Sequence, residues 1–126
     1  MLVEQNITEH FKVKELKCKC CNTIPKDVYE NLKLLCNALE ELRMALGKPI
    51  TVISGYRCPA RNKVVGGAPK SQHVLGKAAD IMVKDMTPEQ VAKAADKIKA
   101  FRGIGTYSTF THVDIRKSLW KAKWRK

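Results

Sequence analysis

Ser71-Gln72-His73-Val74-Leu75-Gly76-Lys77-Ala78-Ala79-Asp80-Ile81-Met82-Val83 is the stretch on which the reading of this chain turns. Its second half alternates, with Ala79, Ile81 and Val83 on one strand face, so Asp80 turns to the other. The same period in Thr111-His112-Val113-Asp114-Ile115-Arg116 sets Val113 and Ile115 toward a core and turns His112 and Asp114 away together. If these strands are neighbours, Asp80 and His112 share a surface. His73, arriving on a loop that Gly76 lets close tightly, then completes a set of two imidazoles and one carboxylate. Those are the ligands of a catalytic zinc that keeps a fourth position for water, and the reaction class implied is amide hydrolysis. A loop histidine beside an Asp that caps or is solvated fits the same spacing, and the residues alone leave both readings open.

Outward from this stretch the sequence predicts an α+β fold: a small, mostly antiparallel sheet, a long N-terminal helix and a second helix packed on it. The long helix runs from about Pro25 to Leu46, where Val28, Leu32, Leu35, Leu39, Leu42 and Leu46 recur at steps of four and three residues. Gly47 and Pro49 stop it. Thr87-Pro88-Glu89-Gln90 announces the second helix, with Thr87 as cap, Pro88 in the first turn and Gln90 closing a capping box; Val91, Ala94, Ala95 and Ile98 form its buried face. Strands are expected at Ile50 to Ser54, Ala78 to Val83, Gly103 to Tyr107 and Thr111 to Arg116. Pro59 to Val65 reads as a short helix ended by Gly66-Gly67, and the chain from there to Lys77 reads as loop. Residues 1–116 form the expected domain, followed by a basic, aromatic tail at 117–126.

With 126 residues and 44% hydrophobic composition, the chain is long enough for one well-buried core. Lys plus Arg number 24 against 12 Asp plus Glu, a formal charge of +12 that favours polyanionic partners without choosing among nucleic acid, wall polymer and lipid. No recognition helix or nucleic-acid motif supports specific nucleic-acid binding. No apolar run approaches a membrane span, and Met1 to Phe11, with Glu4, Glu9 and His10, lacks a signal-peptide core, so synthesis in the cytoplasm is expected. The five cysteines, Cys18, Cys20, Cys21, Cys36 and Cys58, are an odd set, so a monomer, the expected state, keeps at least one free thiol.

Ser54-Gly55-Tyr56-Arg57, Asn62, Gly66-Gly67, the Ser71-x-His73-x-x-Gly76-x-Ala78-x-Asp80 string and the late His112-Val113-Asp114 together resemble the zinc D-Ala-D-Ala carboxypeptidase family. That family includes the L-alanyl-D-glutamate endopeptidases of phage endolysins, and hedgehog signalling domains share its fold. The resemblance runs from His10-Phe11 to about Arg116. It implies Zn2+ held by His73, Asp80 and His112, with Arg57 binding a carboxylate of the peptidoglycan stem peptide, near a D-amino acid. The absent signal-peptide core and the +12 charge fit a phage-type or prophage lytic protein acting on the bacterial cell wall. The residue reading of Arg57 agrees, since a guanidinium beyond a strand end offers a planar fork to a carboxylate; a loop salt bridge is its alternative.

Many family members carry an acidic base three residues before the last histidine ligand, where this chain has Thr109. Asp114 is then the provisional base, or else it only holds the His112 imidazole. Without an acid that reaches the water, the chain would bind zinc and cleave poorly, as a non-catalytic binding module. Ser71, Gln72 and Tyr56 are candidate substrate contacts, and Tyr56 and Tyr107 could stabilise an oxyanion or simply pack. His10 is expected to be a surface or packing residue. Cys18, Cys20 and Cys21 are too crowded for a usual zinc knot, which takes knuckles two to four residues apart and a fourth ligand, although one of them could contact or bond Cys58. The tail could grip anionic wall polymer through its charges and indoles, or dock its tryptophans on the domain.

Overall fold

The computed structural model describes residues 5–21 and 23–126. Glu4, one of the residues behind the expectation of no signal peptide, lies outside them. The elements in chain order are β1 (Asn6–Thr8), β2 (Phe11–Lys12), α1 (Val13–Leu16), α2 (Lys26–Leu46), β3 (Thr51–Ser54), α3 (Pro59–Val64), β4 (Ala78–Met82), α4 (Pro88–Asp96), β5 (Gly103–Thr106), β6 (Thr111–Asp114) and β7 (Ala122–Arg125). The first two strands form a hairpin of their own, and the others make one sheet in the order β3-β4-β6-β5-β7. The α+β expectation holds, and every neighbouring pair in that sheet is antiparallel except β5 with β7.

The stripe on α2 does what its spacing requires. Leu32, Leu35, Leu39 and Leu42 are fully buried, each worth about 1.5–3 kcal/mol of burial. Gly47 ends the helix in a left-handed conformation, at φ 64°. At the start of α4 the capping box is complete, with Thr87 Oγ1 accepting from Gln90 N–H and Gln90 Oε1 accepting from Thr87 N–H. These helices and one face of the sheet, represented by Ala79, Ile81, Ile104 and Val113, enclose the core with Phe11, Leu16, Val91 and Phe101. His10 lies outside that core and pins the first hairpin to α2 through Glu40, whose oxygens also accept from Thr8. Among the described residues, no helix is long and apolar enough to cross a membrane.

Two differences from the sequence expectation matter for function. The presumed loop before Lys77 contains a 3₁₀ turn, Gln72–Leu75, because Ser71 Oγ caps His73 N–H and Gly76 closes the turn at φ 76°. A side chain at Gly76 would also strike Val28 of α2, so the turn sits directly on that helix. The second difference is β7, which takes part of the tail into the sheet edge, alongside Gly103 to Thr106. Lys123 and Arg125 of β7 pair with Asp96 and Glu89 of α4, while Trp120 stays 81% exposed.

Candidate metal centre

Strand register builds the site. Asp80 of β4 lies opposite His112 of β6, His112 lies opposite Gly105 of β5, and Gly105 lies opposite Trp124 of β7. One row therefore crosses four strands on the face turned from the core, as the alternation of β4 and β6 predicts. The adjacent row is Ala78, Asp114, Gly103 and Ala122. The two glycines are places where a side chain cannot go: a Cβ at Gly103 would collide with the Asp114 carboxylate, and one at Gly105 with the Trp124 indole. With that space left free, Trp124 leans over β5 to within 5.1 Å of the His112 ring. Its Nε1 donates to the Tyr107 hydroxyl at 3.0 Å.

His73, Asp80 and His112 come together as the spacing suggests, with one donor atom from each lying within 4.8 Å of the others. All three are at least nine-tenths buried. Their tautomers follow from their other partners. The Gly55 carbonyl, 2.7 Å from His73 Nδ1, can only accept, so Nδ1 carries the proton and Nε2 turns its lone pair to Asp80 Oδ1 at 3.3 Å. Asp114 Oδ2 accepts from His112 Nε2 at 2.8 Å, which leaves the Nδ1 lone pair facing the same Asp80 oxygen at 3.1 Å. Three electron-rich atoms thus converge on one point, where a proton on His112 or a bound metal ion relieves their repulsion. A two-nitrogen, one-oxygen set suits a small divalent ion, with each imidazole fixed from behind by a carbonyl or a carboxylate.

Asp114 is fully buried and saturated. Arg116 donates to its Oδ1 through N–H at 3.1 Å and Nε at 2.9 Å, and Arg116 Nη2 joins His112 on Oδ2 at 2.8 Å. Arg57 donates through Nη1 to Asn62 Oδ1 at 3.1 Å and stands 3.8 Å from Asp80 Oδ2. Buried Asn62 in turn holds the Ala68 carbonyl, so α3 fixes both the arginine and the glycine-rich loop. The Arg57 Nε is buried and has no hydrogen-bond partner among the described residues. A cavity of about 530 Å³ opens over the three donors, bordered by Arg57, Lys70, Arg116 and Lys126, with Asp80 its one carboxylate among the described residues. Ser71, Gln72 and Tyr107 line it too; Asp114 does not. Tyr56 packs into the core cluster and borders a smaller neighbouring cavity. Thr109 is exposed and outside the large cavity. Sequence reasoning missed Trp124 and Arg116 as walls of the site, although the period-two alternation of Ala122-Lys123-Trp124-Arg125 was a signal for the former.

Burial alone would raise Asp80 and Asp114, but hydrogen bonds from His112 and His73 to the first, and from Arg116 and His112 to the second, hold both carboxyls well below the usual carboxylate range. Burial would lower His112, yet its hydrogen bonds to Asp114 and Asp80 raise it above the usual histidine value. In metal-free protein a proton on His112 therefore does part of what a bound cation would do. Depressed carboxyl values contribute stability that is full above about pH 4 and fades as pH falls through the lower folded values. A raised histidine value contributes stability that is full below about pH 6.5 and fades as pH rises through the folded value. Metal-free protein is thus expected to be most stable between about pH 4 and 6.5, and melting curves in chelator check this; a melting temperature that climbs from about pH 6.5 to 8 contradicts it.

The chain is similar to known proteins over most of this architecture. Residues 9–114 match the family model described as Peptidase M15. The chain is 36% identical over 89 residues to the peptidoglycan L,D-endopeptidase MepK of Escherichia coli (strain K12), covering 64% of this chain and 48% of that protein. It is 50% identical over 44 residues to the zinc D-Ala-D-Ala carboxypeptidase of Streptomyces albus G, covering 34% of this chain and 17% of that one. The chain spans about half the length of MepK. With a family match reaching from the first hairpin to the end of β6, this chain belongs to the M15 peptidase family.

Proposed function

We propose that this chain is a zinc peptidase of the bacterial cell wall, hydrolysing an amide of the peptidoglycan stem peptide near a D-amino acid, with His73, Asp80 and His112 holding the ion. The observation that carries this reading is the convergence of His73 Nε2, Asp80 Oδ1 and His112 Nδ1 on one point, with the far side of each imidazole already held by Gly55 or Asp114. Zinc bound there would supply Lewis acidity toward the scissile carbonyl and acidify water. The residues around it do the rest. Gly55 and Asp114 keep both imidazoles in the metal-accepting tautomer, and burial of their far sides fixes the ring orientations. Arg57 takes a substrate carboxylate at the cavity wall, where Arg57, Lys70 and Lys126 against the Asp80 carboxylate favour an anionic peptide, Arg116 being paired with Asp114. Ser71 and Gln72 lie on the same wall and are assigned to substrate positioning.

Asp114 is assigned as a positioning residue rather than the base, since every oxygen is already committed and none faces the cavity. Asp114→Asn is expected to weaken zinc binding about 10–100-fold, and excess zinc should restore most of its turnover. A deficit that persists at saturating zinc would return the proton-transfer role to Asp114.

One observation favours a second reading. No carboxylate other than Asp80 lines the cavity among the described residues, which suits a zinc-holding module that binds wall polymer without cleaving it. Digestion of purified sacculi followed by mass spectrometry of the muropeptides separates the two. New amino termini that require zinc and vanish in His73→Ala support the peptidase; retained binding without release supports the module.

The finer form of the proposal is an endolysin-type enzyme of a phage or prophage acting on the wall. Residues 1–116 would carry the chemistry. The 117–126 segment would add a cavity wall through Trp124 and Lys126 and lend its charge to anionic polymer.

A further inference from the structure

Away from the cavity, the fold repairs the deficiency that made Cys18, Cys20 and Cys21 look too crowded for a metal. Cys58, which precedes α3, brings a fourth sulfur from far along the chain, and the four lie within 4.8 Å of one another. Cys20 Sγ is 3.5 Å from Cys18 Sγ and 3.2 Å from Cys58 Sγ. Four thiolates about 2.3 Å from a tetrahedral zinc stand roughly 3.8 Å apart, so the cluster needs only small side-chain adjustments to close on an ion. Two sulfurs already accept backbone N–H groups, Cys18 from Cys58 at 3.3 Å and Cys58 from Arg61 at 3.4 Å, the kind of contact that supports sulfur carrying negative charge. Lys17, Lys19 and Arg61 border the adjacent cavity and offset the charge of a four-thiolate site. The odd cysteine count also resolves, because Cys36 is buried in the core apart from this group.

We propose that Cys18, Cys20, Cys21 and Cys58 form a second, structural metal site that takes zinc. Binding deprotonates the thiols and releases their protons to solvent. Residues 17–21 belong to no helix or strand, and the ion would fasten them to the start of α3, just beyond the segment that follows β3. That junction is tight: Leu16 O accepts from Tyr56 N–H at 2.8 Å, and any side chain at Gly55 would strike the Leu16 backbone. The Gly55 carbonyl orients His73, and Arg57 follows two residues later, so the site braces the segment that supplies both. A closed four-sulfur site has no open position and is structural rather than catalytic. The cysteine site does not depend on the peptidase reading, and only the second equivalent in the count below comes from the His73, Asp80 and His112 site.

The test is metal analysis of the full chain purified in reductant with zinc. About two equivalents per chain are expected in the wild type and in Cys36→Ser, and about one in Cys58→Ser or Cys20→Ser. His73→Ala should also hold about one, yet its cobalt-substituted form should keep the intense thiolate-to-cobalt charge-transfer band that Cys58→Ser loses. If the cysteine variants do not fold, mercurial titration of wild-type protein replaces them: zinc should leave in step with modification of four thiols. Wild-type stoichiometry in both cysteine variants, thiols that titrate without releasing zinc, or a disulfide among these four in protein kept in reductant overturns the proposal.

Discussion

His73→Ala is expected to abolish amide release and to weaken zinc binding at the cavity by well over the roughly 10–100-fold typical of a supporting residue. The side chain is 2% exposed, its ring is held from behind by the Gly55 carbonyl, and the backbone N–H of His73 is capped by Ser71 Oγ, so the loop fixes this nitrogen in place. Two donors would then be left to do the work of three. The variant also leaves the Gly55 carbonyl without its partner, a folding cost of about 1–3 kcal/mol if water does not reach it. Melting curves therefore accompany the zinc titration. A folded variant that binds zinc at this site as tightly as the wild type would contradict the assignment.

Arg57→Ala should leave zinc content unchanged while lowering kcat/KM about 10- to 150-fold, the equivalent of a charged hydrogen bond worth roughly 1.5–3 kcal/mol. The loss should be confined to stem peptides that carry the recognised carboxylate; on a peptide amidated at that position, variant and wild type should converge. Arg57→Lys should recover only part of the difference, because an ammonium keeps the charge and loses the fork. Since Arg57 also holds Asn62, an equal deficit on amidated and free substrates would mean that the arginine serves the loop and not the ligand.

Much of this was legible in the sequence because local physics and tertiary structure agree. The α2 stripe, the Thr87 capping box and the alternation in β4 and β6 each specify an element and a buried face, and together they bring Asp80 and His112 to one surface. What was not legible depends on contacts between distant segments. β7 pairs in parallel with β5, and nothing local in Lys117 to Lys126 announces that partner. The need for Gly103 and Gly105 exists only once Asp114 and Trp124 are set above them. Spacing could place Asp114 beside His112, but it could not reveal that Arg116 occupies the remaining oxygen positions. The cysteines teach the same lesson, since their fourth member lies 38 residues beyond Cys20.

Anomalous diffraction at the zinc edge, from crystals grown with zinc, tests the central claim most directly. A peak is expected about 2.0–2.2 Å from His73 Nε2, Asp80 Oδ1 and His112 Nδ1 together. Well-ordered side chains at those three residues with no peak between them, in crystals whose protein contains zinc elsewhere, would contradict it.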